Sequence, residues 1–150
     1  FSLINLREIR KQSKADFTIL SEVLDSRNSE LISVEKSDDF VMSERIVNLM
    51  LAQLSENPGL DDFFNELMQP KGSEIYFRRM SQYIDITKKV KFGDITASAL
   101  HKSETAIGYR VNSQSKDKSK NFGIYVNPSK SDEILFSDKD EVIVFSDNWN

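Results

Sequence analysis

The residues of this 150-residue chain best equipped for chemistry form a short cluster, Glu22, Asp25, Arg27 and Asn28. Two carboxylates with an amide oxygen suit a hard cation such as calcium, while Arg27 suits a phosphate or carboxylate through its planar guanidinium fork. These two chemistries conflict, and a plainer reading competes with both: Asp25 and Ser26 cap a helix, with Arg27 and Glu30 in surface pairs. A denser acidic set lies at Asp132, Glu133, Asp138, Asp140 and Glu141. It lacks the spacing and the glycine of an EF-hand, so a charged hairpin rim is the expectation ahead of a cation site. Asp38 and Asp39 alone make a poor metal cage and read as a solvated turn.

Catalysis finds little support. His101 is the only histidine and there is no cysteine, so a zinc site would need carboxylates for every other ligand. A structural or solvent-facing His101 is the plainer reading. No serine sits in a GxSxG elbow and no lysine in a phosphate loop. The five glycines, at positions 59, 72, 93, 108 and 123, are scattered, and no GxGxxG occurs. The backbone nest that would hold a pyrophosphate at a helix N-terminus is therefore missing.

Composition narrows the partners. With 20 basic and 24 acidic residues the net charge is −4, which speaks against a phosphate-backbone binder, so nucleic acid is not expected as a partner. The lack of cysteine fits a reducing, cytoplasmic compartment. No apolar run reaches the roughly 20 residues of a bilayer span, and the opening FSLINLREIRKQ lacks the form of a signal peptide; no membrane insertion is expected. Leu3, Ile4, Leu6 and Ile9 already keep helical spacing, as in a chain that begins inside a domain.

These residues must be positioned by recognisable elements. Residues 17–23 (FTILSEV) form an apolar run of strand length, Asp25 and Ser26 offer a cap for a helix through Val34, and a second strand is expected at residues 40–42. Ser43 caps a further helix through Gln53, stopped at Asn57, Pro58 and Gly59. The order helix, strand, helix, strand, helix implies parallel strands with right-handed crossovers. Ligands would then collect beyond the carboxyl ends of the strands, which is where Glu22, Asp25, Arg27 and Asn28 fall.

At about 100° per residue, Ile46, Val47, Leu49, Met50, Leu51 and Leu54 cover roughly 200° of the helix that Ser43 begins. Such an arc fits either a helix sunk in its own core or one shared with a second subunit. Phe63, Phe64, Leu67 and Met68 form a stripe on a shorter helix ended by Pro70 and Gly72. Two amphipathic helices joined by a tight break make an arm suited to pairing with its own copy. Beyond Gly72, residues 74–78 (EIYFR) alternate as a half-exposed strand should, with Ile75 and Phe77 on one side and Glu74, Tyr76 and Arg78 on the other. Residues 92–100 follow at near-helical spacing through Phe92, Ile95, Ala99 and Leu100. Three strands then close the chain, at 106–111 (AIGYRV), 123–128 (GIYVNP) and 138–145 (DKDEVIVF), with residues 112–121 as a solvated, lysine-containing connection.

Residues 18–57, above all ILSEVLDSRNSEL and DDFVMSERIVNLMLAQLSENP, and then GSEIYF, resemble the regulatory region of Castor/Pollux-type ion channels and their bacterial relatives. From Tyr83 onward, FGDI, AIGYRV, GIYVNP and DEVIVF are similar to the carboxy-terminal half of RCK domains, the TrkA-C module. The resemblance implies an α/β plus α+β fold: residues 1–56 as the second half of a Rossmann-like parallel unit, 57–72 as a helical crossover and dimerisation arm, and 73–150 as a small α+β lobe. It implies a cytosolic gating and ligand-sensing domain of a cation channel or transporter, at the inner face of the membrane. Its partners would be a pore domain elsewhere in the parent protein and a second copy, as a homodimer or ring, through Ile46, Val47, Met50, Leu51, Leu54, Phe63, Phe64 and Leu67. Calcium or a nucleotide is the effector to expect in the full-length parent; the scattered glycines weigh against a nucleotide on this stretch alone. Two other readings stay open, a fragment of a Rossmann-type nucleotide-dependent enzyme and a free-standing transporter adaptor.

Overall fold

The computed structural model describes residues 2–13, 17, 19–22, 38–41, 43–69 and 71–147. By its internal contacts the chain divides into two units, residues 1–64 and 65–150. The fold is mixed, with a small parallel pairing and helices in the first unit and a four-stranded antiparallel sheet in the second.

The first unit opens on α1 (Ser2–Ser13), whose last turn carries Arg10 and Lys11 where positive charge favours the helix dipole. Strands β1 (Ile19–Glu22) and β2 (Asp38–Val41) pair in parallel, from Ile19 against Asp38 to Glu22 against Val41. The parallel order is the one expected, and it demands a crossover connection; the helix expected from Asp25 through Val34 lies outside the described residues. One boundary differs. Asp38 and Asp39 are ladder residues of β2 rather than a turn before it, because β1 extends far enough to offer each a backbone partner.

Helix α2 (Ser43–Glu56) runs past Gln53 and stops where Pro58 cannot continue it. The Asn57 N–H still reaches the Gln53 carbonyl at 3.0 Å, and the Leu60 N–H bonds to the Asn57 carbonyl at 3.1 Å, turning the chain into α3 (Leu60–Leu67). Asp61 and Asp62 sit in the first turn of α3, where carboxylates favour the exposed amides of a helix N-terminus. Neither helix contains a buried residue. Met50 and Leu54 of α2 are half-buried, and its other apolar residues are exposed.

The second unit is built on a sheet of order β3–β8–β5–β6, all antiparallel, from β3 (Glu74–Arg79), β5 (Thr105–Arg110), β6 (Ile124–Val126) and β8 (Glu141–Ser146). A small pair, β4 (Val90–Lys91) with β7 (Glu133–Ile134), and helix α4 (Phe92–Leu100) complete the lobe. The Asp94 carboxylate accepts the Lys91 N–H at 3.0 Å and so anchors the start of α4. Its core joins Met80, Tyr83, Phe92, Ile95, Ala99, Tyr109, Phe136, Val142 and Val144, among others.

One expectation is sharpened here and one corrected. Ile75 and Phe77 are 48% and 45% exposed, while Tyr76 packs against the core and Arg78 is half-buried. The two faces of β3 are those expected, and the one carrying Ile75 and Phe77 is the exposed one because Arg78 on the other meets a buried carboxylate, Glu104. Leu100 is 74% exposed: the helix ends there, and the chain turns away through Ser103 with a left-handed φ of 59°. Gly108 is required where β5 approaches β6, since a Cβ there would overlap the Tyr125 carbonyl.

Candidate functional site

The arm formed by α2 and α3 carries the apolar groove. Ile46, Leu49, Met50 and Gln53 follow one another at helical spacing along α2, and Phe64 of α3 joins them around a shallow space of about 200 Å³. The Phe63 and Phe64 rings lie with centroids 5.9 Å apart, tilted by 56°. Of the residues expected in a pairing surface, Ile46, Met50 and Phe64 line this groove. Val47, Leu51 and Phe63 are more than half exposed on the same two helices, and Leu54 and Leu67 are half-buried. Leu49 belongs to the apolar arc but lies outside the expected surface, and Gln53 is not legible in the sequence because a polar residue interrupts the apolar pattern.

The other candidate cluster is only partly visible. Glu22 is exposed at the last position of β1. Asp25, Arg27 and Asn28 lie outside the described residues.

In the acidic turn, Asp132, Glu133 and Asp138 are exposed as on a rim, and Asp140 is the exception. Asp140 is 4% exposed. Its Oδ1 accepts the Asn112 N–H at 2.8 Å, its Oδ2 accepts the Ser137 N–H at 2.7 Å, and its carbonyl accepts the Met80 N–H at 2.9 Å. A carboxylate filled by two amides is a clasp between segments, unavailable to a cation. Glu141 turns to Arg110 at 3.7 Å. Among the described residues no three His, Cys, Asp or Glu side chains converge as metal ligands. His101 is exposed at the end of α4.

A polar cluster that no sequence motif announces lies inside the second unit. The Tyr83 hydroxyl donates to Glu104 Oε2, while Glu104 Oε1 meets Arg78 Nε at 3.0 Å. The Arg78 guanidinium lies 4.9 Å from the centre of the Tyr76 ring, and Lys102 Nζ lies 5.1 Å from that of Tyr83. Desolvation pushes the Tyr83 pKa well above the usual phenol range, and the hydrogen bond to Glu104 pushes in the same direction. A phenol held in its neutral form is a hydrogen-bond donor and a poor base. The cluster ties β3 and Tyr83 to the residue that precedes β5.

Comparison with known proteins gives the arrangement its context. Over 139 residues, 93% of its length, the chain is 31% identical to a probable ion channel POLLUX of Oryza sativa subsp. japonica. The chain is similar to a segment of CASTOR and POLLUX ion channels. A probable POLLUX of Arabidopsis thaliana is 31% identical over 138 residues, and the CASTOR ion channel of Lotus japonicus 28% over 137. The chain spans about one seventh of these relatives, 14–16% of their length. No protein-family model matches it. The CASTOR and POLLUX relatives are named as ion channels, not as enzymes, and among the described residues no helix is long and apolar enough to cross a membrane.

Proposed function

We propose that this chain is a cytosolic regulatory segment of a cation channel of the CASTOR and POLLUX kind, pairing with its own copy and sensing an effector for a pore carried elsewhere in the parent protein. The observation that carries the reading is the similarity to ion channels along nearly the whole chain. This reading assigns the parallel β pair and the arm, up to residue 72, to a gating segment of RCK type and the residues from 73 to a TrkA-C-like lobe. The α2–α3 arm supplies the pairing surface: an apolar groove and exposed Val47, Leu51 and Phe63 on helices with no fully buried residue. Exposed apolar area of this extent marks association surfaces. On this reading the effector site combines Glu22, the last residue of β1, with Asp25, Arg27 and Asn28, which follow it in the sequence, and takes calcium or a nucleotide in the full-length parent.

The test is the mass of the chain in solution. Replacing Phe63 and Phe64 together by Ser halves the mass seen by light scattering, while far-UV circular dichroism stays that of the parent. An unchanged mass removes the arm as a pairing surface. For the effector, the melting temperature of the full-length parent rises with calcium or an adenine nucleotide by mass action; a flat response to both ends that part of the reading.

A further inference from the structure

Strand β3 is an edge of the four-stranded sheet, and among the described residues it pairs with β8 alone. The Met80 N–H donates to the Asp140 carbonyl at 2.9 Å, continuing the β3–β8 ladder by one step. Antiparallel strands alternate the direction of their backbone groups. The even-numbered residues of β3 therefore turn N–H and C=O toward β8, and Ile75, Phe77 and Arg79 turn theirs outward along the edge. The side chains of Ile75 and Phe77 are nearly half exposed on the sheet face away from the core. A six-residue edge with apolar side chains is a template for another strand, and proteins that keep such edges single usually shorten, bulge or break them.

We infer that β3 pairs antiparallel with β3 of a second copy, about a two-fold axis through Tyr76. The order of residues commits the occupant, because Glu74-Ile75-Tyr76-Phe77-Arg78 is complementary to itself when reversed. Ile75 stands opposite the partner's Phe77 in a hydrogen-bonded pair, and symmetry repeats the pair on the other side of the axis. Glu74 stands opposite the partner's Arg78, carboxylate to guanidinium, with Arg78 still held by its own Glu104. Tyr76 faces the partner's Tyr76 as a non-hydrogen-bonded pair. Of the neighbouring registers that keep the faces matched, one centred on Phe77 sets Ile75 against the partner's Arg79 and one centred on Ile75 sets Phe77 against the partner's Ser73; each keeps a single apolar pair on the axis and loses both Glu74–Arg78 pairs. This surface is separate from the α2–α3 arm, so the two are tested independently.

The full chain contains no cysteine, so one introduced thiol reports one contact. In the proposed register the two Cα atoms at position 76 lie about 4.5 Å apart, within disulfide reach, whereas those at position 77 are too far. Tyr76→Cys forms a covalent dimer on mild oxidation and Phe77→Cys stays single. Cross-linking through Phe77→Cys instead, or through neither, overturns the pairing. Should Tyr76→Cys fail to fold, Ile75→Pro decides: proline is tolerated on an edge where its missing N–H faces outward, and it removes an intermolecular bond. In a chain with Phe63 and Phe64 already replaced by Ser, β3 pairing leaves a dimer, and adding Ile75→Pro makes it a monomer. A monomer before that addition, or a dimer after it, sinks the proposal. Failure of the arm alone shows differently, as a parent whose mass ignores the Phe63 and Phe64 replacements yet falls with Ile75→Pro.

Discussion

Helices α2 and α4 are both rich in apolar residues and meet opposite fates. The longer, α2, has no fully buried residue, whereas α4 buries Phe92, Ile95 and Ala99 in nine residues. What separates them is the surface each is offered. Helix α4 lies in a lobe whose sheet presents Tyr109, Val142 and Val144 to it, and the three residues it buries fall within an arc of about 60°. Helix α2 spreads its apolar residues over roughly 200°, wider than one sheet face can cover. Apolar content thus reports a need for burial without saying where burial is found.

The largest expected effect comes from exchanging one residue in each helix. Phe92→Ala costs about 3–5 kcal/mol in urea unfolding of the second unit, by lost transfer energy and cavity formation. Leu51→Ala, in chain dilute enough to be monomeric, changes stability by less than about 0.5 kcal/mol, because an exposed leucine has little to lose. A cost above one kcal/mol for Leu51→Ala would break the contrast. Asp140→Ala comes next, at roughly 2–3 kcal/mol, since two amides lose a charged acceptor; a cost as small as that of Leu51→Ala would return Asp140 to the surface rim that the sequence suggested.

The smallest effect separates the units by pH. The folded-state pKa of Tyr83 is raised above that of the unfolded chain, so its contribution is complete below the unfolded value, about 10, and fades as pH rises toward the folded one. Thermal melts from pH 8 to 11 should therefore show the second unit weakening at the alkaline end. In Tyr83→Phe that alkaline slope should flatten while the neutral melting point falls slightly. An identical slope in parent and variant would mean that Glu104 does not hold the phenol.

Legibility in the sequence followed distance along the chain. The strands at Thr105–Arg110 and Glu141–Ser146, the α2–α3 break and the parallel β1–β2 order all follow from period and turn chemistry within short windows. What stayed hidden depended on residues far apart. The exposure of the Ile75 and Phe77 face of β3 needs Glu104 to meet Arg78, and the burial of Asp140 needs Asn112 and Met80 to reach it. No local pattern encodes such meetings. Of the effector cluster, Glu22 alone falls among the described residues.

The sheet order has a consequence for how the second unit comes into being. The strand that joins its two halves, β8, is the last in the sequence, and β3 and β5 have no ladder to each other without it. A nascent chain can therefore assemble the β5–β6 hairpin early, yet must hold β3 unpaired until residue 146 has emerged from the ribosome. Contacts closed over such long separations form slowly. During that interval the strand most exposed to wrong partners is the apolar edge itself, so the rate of synthesis past β8 governs how much chain is lost to misassembly.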